Sequence, residues 1–173
     1  MSEQADLLDE LKSRAEIAEV VMRYVRAIDR CDEALLRSCF HADSRHRHGA
    51  FDGSSAEFCG RAMEICRQVV ATHHQLGPVS IELSGEIAFV ETYFTAHHRF
   101  GAEPPPGGFP HQDRFMGGRY VDRFERRDGV WRIAERIGIN EWLRYEDSSD
   151  GGFWGRPPGE RGRRDREDPV YRR

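Results

Sequence analysis

Apolar residues open the chain at helical spacing. Residues 5–29 include Leu8 and Leu11, and from Ile17 onward Val20, Val21, Tyr24, Val25 and Ile28 recur at offsets of three and four. That is one face of an amphipathic helix. Asp29 stands at its C-terminal end. The helix dipole is negative there, so a carboxylate kept at that place needs a reason or a partner. Asp32 then reads as the N-cap of a short second helix through "EALLRSCF". "SRHRHGAF" alternates as a strand, and "FDGSS" turns out of it. Ser54 or Ser55 caps a third helix, in which Phe58, Ala62, Ile65, Val69 and Val70 keep helical spacing. That helix runs toward two adjacent histidines, His73 and His74, which precede Gly77 and Pro78.

Beyond the histidines the period changes. "PVSIEL" reads as a strand, "SGE" as a tight turn and "IAFVETYFTAHHRF" as a long strand, together a hairpin. "GAEPPPGGFPHQD" is too rich in proline and glycine for regular structure, and its length suits a lid or binding loop. Two alternating strands then flank "RRDG", a second hairpin. Helices segregate from strands, so the expected class is α+β, an antiparallel sheet wrapped around the long helix and enclosing a pocket. Residues 1–145 form one domain. Residues 146–173 are a charged tail with little periodicity, in which Phe153, Trp154, Val170 and Tyr171 stand as apolar anchors. The tail is expected to dock Phe153 and Trp154 near the pocket mouth as a lid, or to contact a neighbouring subunit.

Composition narrows the function. A formal net charge of -4 argues against a nucleic-acid partner. No apolar run reaches the ~20 residues of a membrane span, and residues 1–10 lack the order of a signal peptide, so a cytoplasmic protein is expected. Cys31, Cys39, Cys59 and Cys66 form no C-x-x-C pair and read as buried free thiols. His46 and His48 make an H-x-H on one strand face, which reads as a solvated face rather than a metal site.

"RYVDRFERRDGVWRIAER", with "RYVRAIDRCDEALLRSCF", "HHQLGP" and "IAFVETYFTAHH", resembles the SnoaL-like members of the nuclear transport factor 2-like superfamily, over roughly residues 10–145. The resemblance implies a cone-shaped α+β barrel with a deep apolar pocket. That fold hosts dehydratases, a dehydrochlorinase, isomerases, polyketide cyclases, dioxygenase β subunits and binding proteins, so it leaves function open. The nearer likeness is to hexachlorocyclohexane dehydrochlorinase, bile-acid 7α-dehydratase and scytalone dehydratase. It puts a catalytic aspartate on Asp29, a catalytic histidine on His74, a tyrosine on Tyr24 and a pocket arginine on Arg136. Homotrimers are implied as well, with a dimer as the alternative. Trp131, Trp142, Phe153 and Trp154 add aromatic surface that an oligomer would cover.

These residues suit a cofactor-independent lyase. A neutral imidazole accepts a proton at neutral pH, and a carboxylate on its other nitrogen fixes the tautomer. Asp29 would serve His74 in this way, Tyr24 would donate to the departing oxygen, and Arg136 would stabilise negative charge. His97 and Tyr93, which share one strand face, and Trp154 in the tail are candidate substrate contacts. The substrate would be a cyclic, largely apolar small molecule. The alternatives are a non-catalytic small-molecule-binding protein, and an isomerase or polyketide cyclase using the same pocket.

Overall fold

The computed structural model describes residues 3–101, 113–153, 156–157, 159 and 161–172. The order is α1 (Glu3–Asp29), α2 (Glu33–Arg37), β1 (Phe40–His48), β2 (Phe51–Ser54), α3 (Ser55–Gln68), β3 (Ala71–Ser84), β4 (Ile87–Arg99), β5 (Asp113–Arg127) and β6 (Val130–Glu146). A short 3-10 turn, Pro169–Tyr171, follows. The predicted stripe of α1 is its buried face: Ile17, Val20, Val21, Tyr24, Val25 and Ile28 all lie in the core. Asp32 caps α2, accepting from the Leu35 N–H at 3.1 Å. Ser54 opens α3 with a reciprocal capping box to Glu57.

The six strands form one mixed sheet in the order β2-β1-β6-β5-β4-β3. Neighbours are antiparallel except β1 and β6, which run parallel. The sheet ends at β2 and β3 and does not close on itself; three helices pack against it. Asp128 and Gly129, with φ of 53° and 75°, turn the β5–β6 hairpin, and the left-handed pair explains why "RRDG" carries glycine there. Along β4, Ala88, Val90, Thr92, Phe94 and Ala96 are buried while Phe89 and Tyr93 are exposed. The even-numbered positions of β4 therefore face the helices. The loop expected at "GAEPPPGGFPHQD" lies, save for its two end residues, outside the described residues.

Four expectations change. Val69 and Val70 do not extend α3, which ends at Gln68. The strand expected to begin at Pro78 begins at Ala71, so both histidines sit on it, with His73 opposite His97 and His74 opposite Ala96. Gly77 and Pro78 fall in a register shift between Leu76 and Val79. A proline without an N–H is tolerated there because β3 is an edge strand. Residues Phe51–Ser54 pair with β1 as a four-residue strand rather than only turning. Trp131 is core, 2% exposed, so it adds nothing to the aromatic surface that suggested an oligomer. The cysteines are free, and Cys39, Cys59 and Cys66 are buried.

Candidate active site

Between α1, α3 and the inner sheet face lies a cavity of about 370 Å³. Ile28, Phe58, Ile65, Phe94, Met116 and Leu143 give it an apolar wall. Tyr24, His48, His74, His98, Arg114 and Asn140 bring polar atoms to it. This is the shape of a small-molecule site: apolar for the most part, with few convergent polar groups.

Asp29 ends α1 and meets β3 there. Its Oδ1 accepts from the His74 ring at Nδ1 (2.7 Å) and from the Thr72 hydroxyl (2.9 Å). Its Oδ2 accepts from the His74 backbone N–H (2.9 Å). Three donors thus offset the unfavourable place of an anion at a helix C-terminus. A carboxylate only accepts, so the His74 proton sits on Nδ1 and Nε2 keeps its lone pair. The His74 side chain is 7% exposed, at the cavity wall. His73 is exposed on the other face of the strand.

Behind Asp29 lies the tail. Arg164 donates to the carbonyls of Cys66 (2.6 Å), Val69 (2.8 Å), Ile28 (3.4 Å) and Asp29 (3.4 Å). These carbonyls lie in the last turns of α1 and α3 and, for Val69, just past α3, where the dipole favours a cation. Arg30 pairs with Asp168 at 3.0 Å, and the Tyr171 hydroxyl donates to Asp32 at 3.0 Å. The described tail is therefore an ordered strap on the far side of Asp29. None of its described residues lines the cavity. Trp154 lies outside the described residues.

Tyr24 lines the cavity and is 2% exposed; burial pushes its phenol well above the ordinary tyrosine range, so it remains a donor. Arg136 does not reach the cavity. It is fully buried on β6, bonded through Nε (2.7 Å) and Nη2 (2.6 Å) to Asp122, with its guanidinium 4.0 Å from the Tyr24 ring centre and 4.3 Å from that of Tyr120. Its place is beneath the two tyrosines, where it holds the cavity floor. It cannot touch a ligand directly.

His97 and Tyr93 face away from the cavity. His97 bonds Asp113 (2.5 Å) and stacks on Phe115, and Arg99 grips the same Asp113 in a fork (2.6 and 2.8 Å) and also pairs with Asp150. Tyr93 is 56% exposed beside an outer groove with Trp142. The odd-numbered positions of β4 form its outer face, contrary to the expected substrate contacts at His97 and Tyr93. His98 is the inward histidine, its ring 5.4 Å from that of His74. The sequence carried the signal: the apolar set Ala88, Val90, Phe94 and Ala96 shares parity with His98. Arg114, opposite His98 in the β4–β5 register, donates to its Nδ1 at 2.6 Å. Burial pushes His98 well below the ordinary histidine value, and the Arg114 charge adds to this.

The H-x-H pair is not a solvated face. His46 is fully buried and stacks on Phe58 with ring centres 3.4 Å apart, while His48 faces the cavity. Burial lowers His46 to about 2 and His48 below its ordinary value. Gly138 makes room for His48, since a Cβ there would come within 2.6 Å of Nδ1. Among the described residues no group of three or more histidine, cysteine or acidic side chains is arranged to hold a metal. None of the described helices is long and apolar enough to cross a membrane.

Fold and cavity together define an α+β cone of the nuclear transport factor 2-like type with an apolar pocket. The profile of the SnoaL-like domain matches residues 9–137, and the chain belongs to that family. The structure is similar to Kfla4162 from Kribbella flavida (TM-score 0.69, 18% identity, 78% of this chain and 95% of that one). It is similar also to the hexachlorocyclohexane dehydrochlorinase LinA-type3 from Novosphingobium barchaimii LL02 (TM-score 0.69, 20% identity, 80% and 92%). A candidate scytalone dehydratase from Novosphingobium aromaticivorans DSM 12444 is a third neighbour (TM-score 0.68, 20% identity, 81% and 91%). At these identities the likeness concerns the fold. No curated protein matches the chain.

Proposed function

We propose that the protein is a cofactor-independent lyase of the dehydratase type, acting on a cyclic, largely apolar small molecule. One observation carries this reading: the 2.7 Å bond from His74 Nδ1 to Asp29 at the wall of an apolar cavity. It leaves Nε2 as the free base and stabilises the imidazolium that forms. Tyr24 then protonates or polarises the departing oxygen, and Arg136 supports Tyr24 from below. A carrier would gain nothing from fixing one histidine tautomer with a buried carboxylate. The folds of dehydrochlorinase and dehydratase neighbours agree with the reading without carrying it.

The test is a panel of cyclic β-hydroxy carbonyl compounds, followed by the absorbance of the conjugated product. Turnover by the wild type and its loss in His74→Ala, with folding intact, is the expected result. Near wild-type rates in His74→Ala would remove the mechanism. A product that keeps its oxygen would point to an isomerase using the same proton abstraction, and saturable binding without any product to a carrier.

A further inference from the structure

We propose that the outward face of α1 pairs with the same face of a second copy of this chain, as an antiparallel helix pair that closes a two-fold dimer. The proposal goes beyond the lyase reading and does not depend on it.

The observation is a second apolar stripe on α1. The first, from Ile17 to Ile28, is core. On the opposite side of the same helix, Leu8, Leu11, Ala15, Ala18 and Met22 follow one another at offsets of three, four, three and four. That is the a/d spacing of a helix–helix seam, kept over two heptads. Leu8, Leu11 and Met22 are 68%, 56% and 55% exposed. Ala15 is exposed and Ala18 is half-buried. A helix that packs one face on a core ordinarily turns charged and polar residues outward. Here large apolar side chains stand in water at both ends of a regular seam, with alanines between them.

Size and charge select the occupant. A two-fold interface must complement itself, because each contact occurs twice. Laying a second α1 antiparallel on the seam sets Leu11 against Met22 of the second copy and Ala15 against its Ala18. Large faces large at the two ends, and small faces small in the middle, where the helices approach most closely. Lys12 and Glu19 flank the seam on one side. In this register Lys12 of each copy lies beside Glu19 of the other, so opposite charges meet at both ends. Glu19 also lines a groove of about 390 Å³ with Glu16, Arg23 and Val130, and Val130 is 45% exposed. The stem of the incoming lysine would lie along that valine with its ammonium toward the two glutamates. The next antiparallel register, one heptad along, puts the two Lys12 side chains together and Leu11 over Ala15, so size and charge both reject it. A parallel pair would need Arg14 to reach Glu19, but Arg14 is already held by Glu10 (2.9 Å) and by the Ile81 carbonyl (2.8 Å).

Two heptads make a small interface, so the dimer is weak and reversible, with Kd on the order of 10–100 µM. Sedimentation velocity of the full chain, from about 5 to about 300 µM, should pass from monomer to dimer. Ala15→Glu puts a charge at the centre of the seam and should raise Kd at least about tenfold without changing the melting temperature. Lys12→Glu and Glu19→Lys should each weaken the dimer several-fold, and the double exchange should restore it to within about twofold of wild type. If Ala15→Glu lowers the helical signal in circular dichroism, the charge exchange decides alone. A monomer at every concentration, an assembly of any size that Ala15→Glu leaves unchanged, or a double exchange no better than the single ones overturns the proposal.

Discussion

Asp29→Asn isolates the tautomer on which the mechanism depends. In the wild type, Oδ1 faces the His74 Nδ1–H and the Thr72 hydroxyl, and Oδ2 faces the His74 backbone N–H. An asparagine must put its NH2 at one of those places. At the Oδ2 place it would meet a backbone N–H, a donor that cannot turn into an acceptor. At the Oδ1 place the Thr72 hydroxyl can rotate to accept, and His74 Nδ1 can accept once its proton moves to Nε2. The second arrangement satisfies every group, and it destroys the base. Turnover should fall on the order of 10⁴-fold, the effect of a wrong tautomer in the serine-protease triad. Stability should fall by only roughly 1–2 kcal/mol, because three neutral hydrogen bonds replace charge-assisted ones while a buried charge disappears. For a chain of this size that is a drop in Tm of about 2–8 °C. Long-range proton–nitrogen correlation of the histidine rings reads the tautomer without any substrate. A His74 proton that stays on Nδ1 in Asp29→Asn would refute the reasoning, whatever the activity does.

Three other outcomes follow. Arg136→Met should cost about 3–5 kcal/mol in urea unfolding because it strands the Asp122 carboxylate, and Arg136→Met with Asp122→Leu should recover much of that loss; a double variant no better than the single one contradicts the pairing argument. His46, His48 and His98 have folded pKa values lowered beneath the unfolded value near 6.5, so the unfolded chain binds the extra protons. The stability they confer is complete above about pH 6.5 and is lost as pH falls from there toward their folded values, by about 1.4 kcal/mol for His46 at pH 5.5; urea melts from pH 7.5 to 5 should show the slope, shallower in His46→Phe. Arg164→Ala should lower both Tm and turnover, with amide exchange rising at the ends of α1 and α3; unchanged exchange there would mean that the strap bears no load.

The local grammar of this chain was readable wherever one element decides its own shape. The stripe on α1, the caps at Asp32 and Ser54 and the "RRDG" turn depend on neighbours within a few residues, and each stands where the pattern put it. Asp29 was legible because an anion at a helix end needs a partner, while His74 as that partner came from the family resemblance. What failed was pairing over distance. The histidines belong to a strand because β4 lies beside them, and nothing within "QVVATHHQLGP" says so. His97 is read as the pocket histidine, although the apolar parity of β4 points to His98. Arg136 has the right sequence place for a pocket arginine, but Asp122, its neighbour across β5 and β6, holds it below the floor.

The tail shows how far such a distant pairing can reach into the chemistry. As a sequence it is a run of arginines and acids that no period organises. In the fold, one of those arginines closes two carbonyl groups on α1 and two at the end of α3, within a residue of the aspartate that orients His74. Asp29 is thus held from both sides. Thr72 and His74 donate to its carboxylate from β3, and Arg164 fixes its backbone from the strap. The cation also meets the dipole ends of both helices, so the strap is favoured most at the place where the carboxylate is favoured least. An anion at a helix C-terminus is ordinarily a weakness. Here it lies between donors on the cavity side and a guanidinium on the other, and the geometry that relieves the strain is the geometry that holds the base.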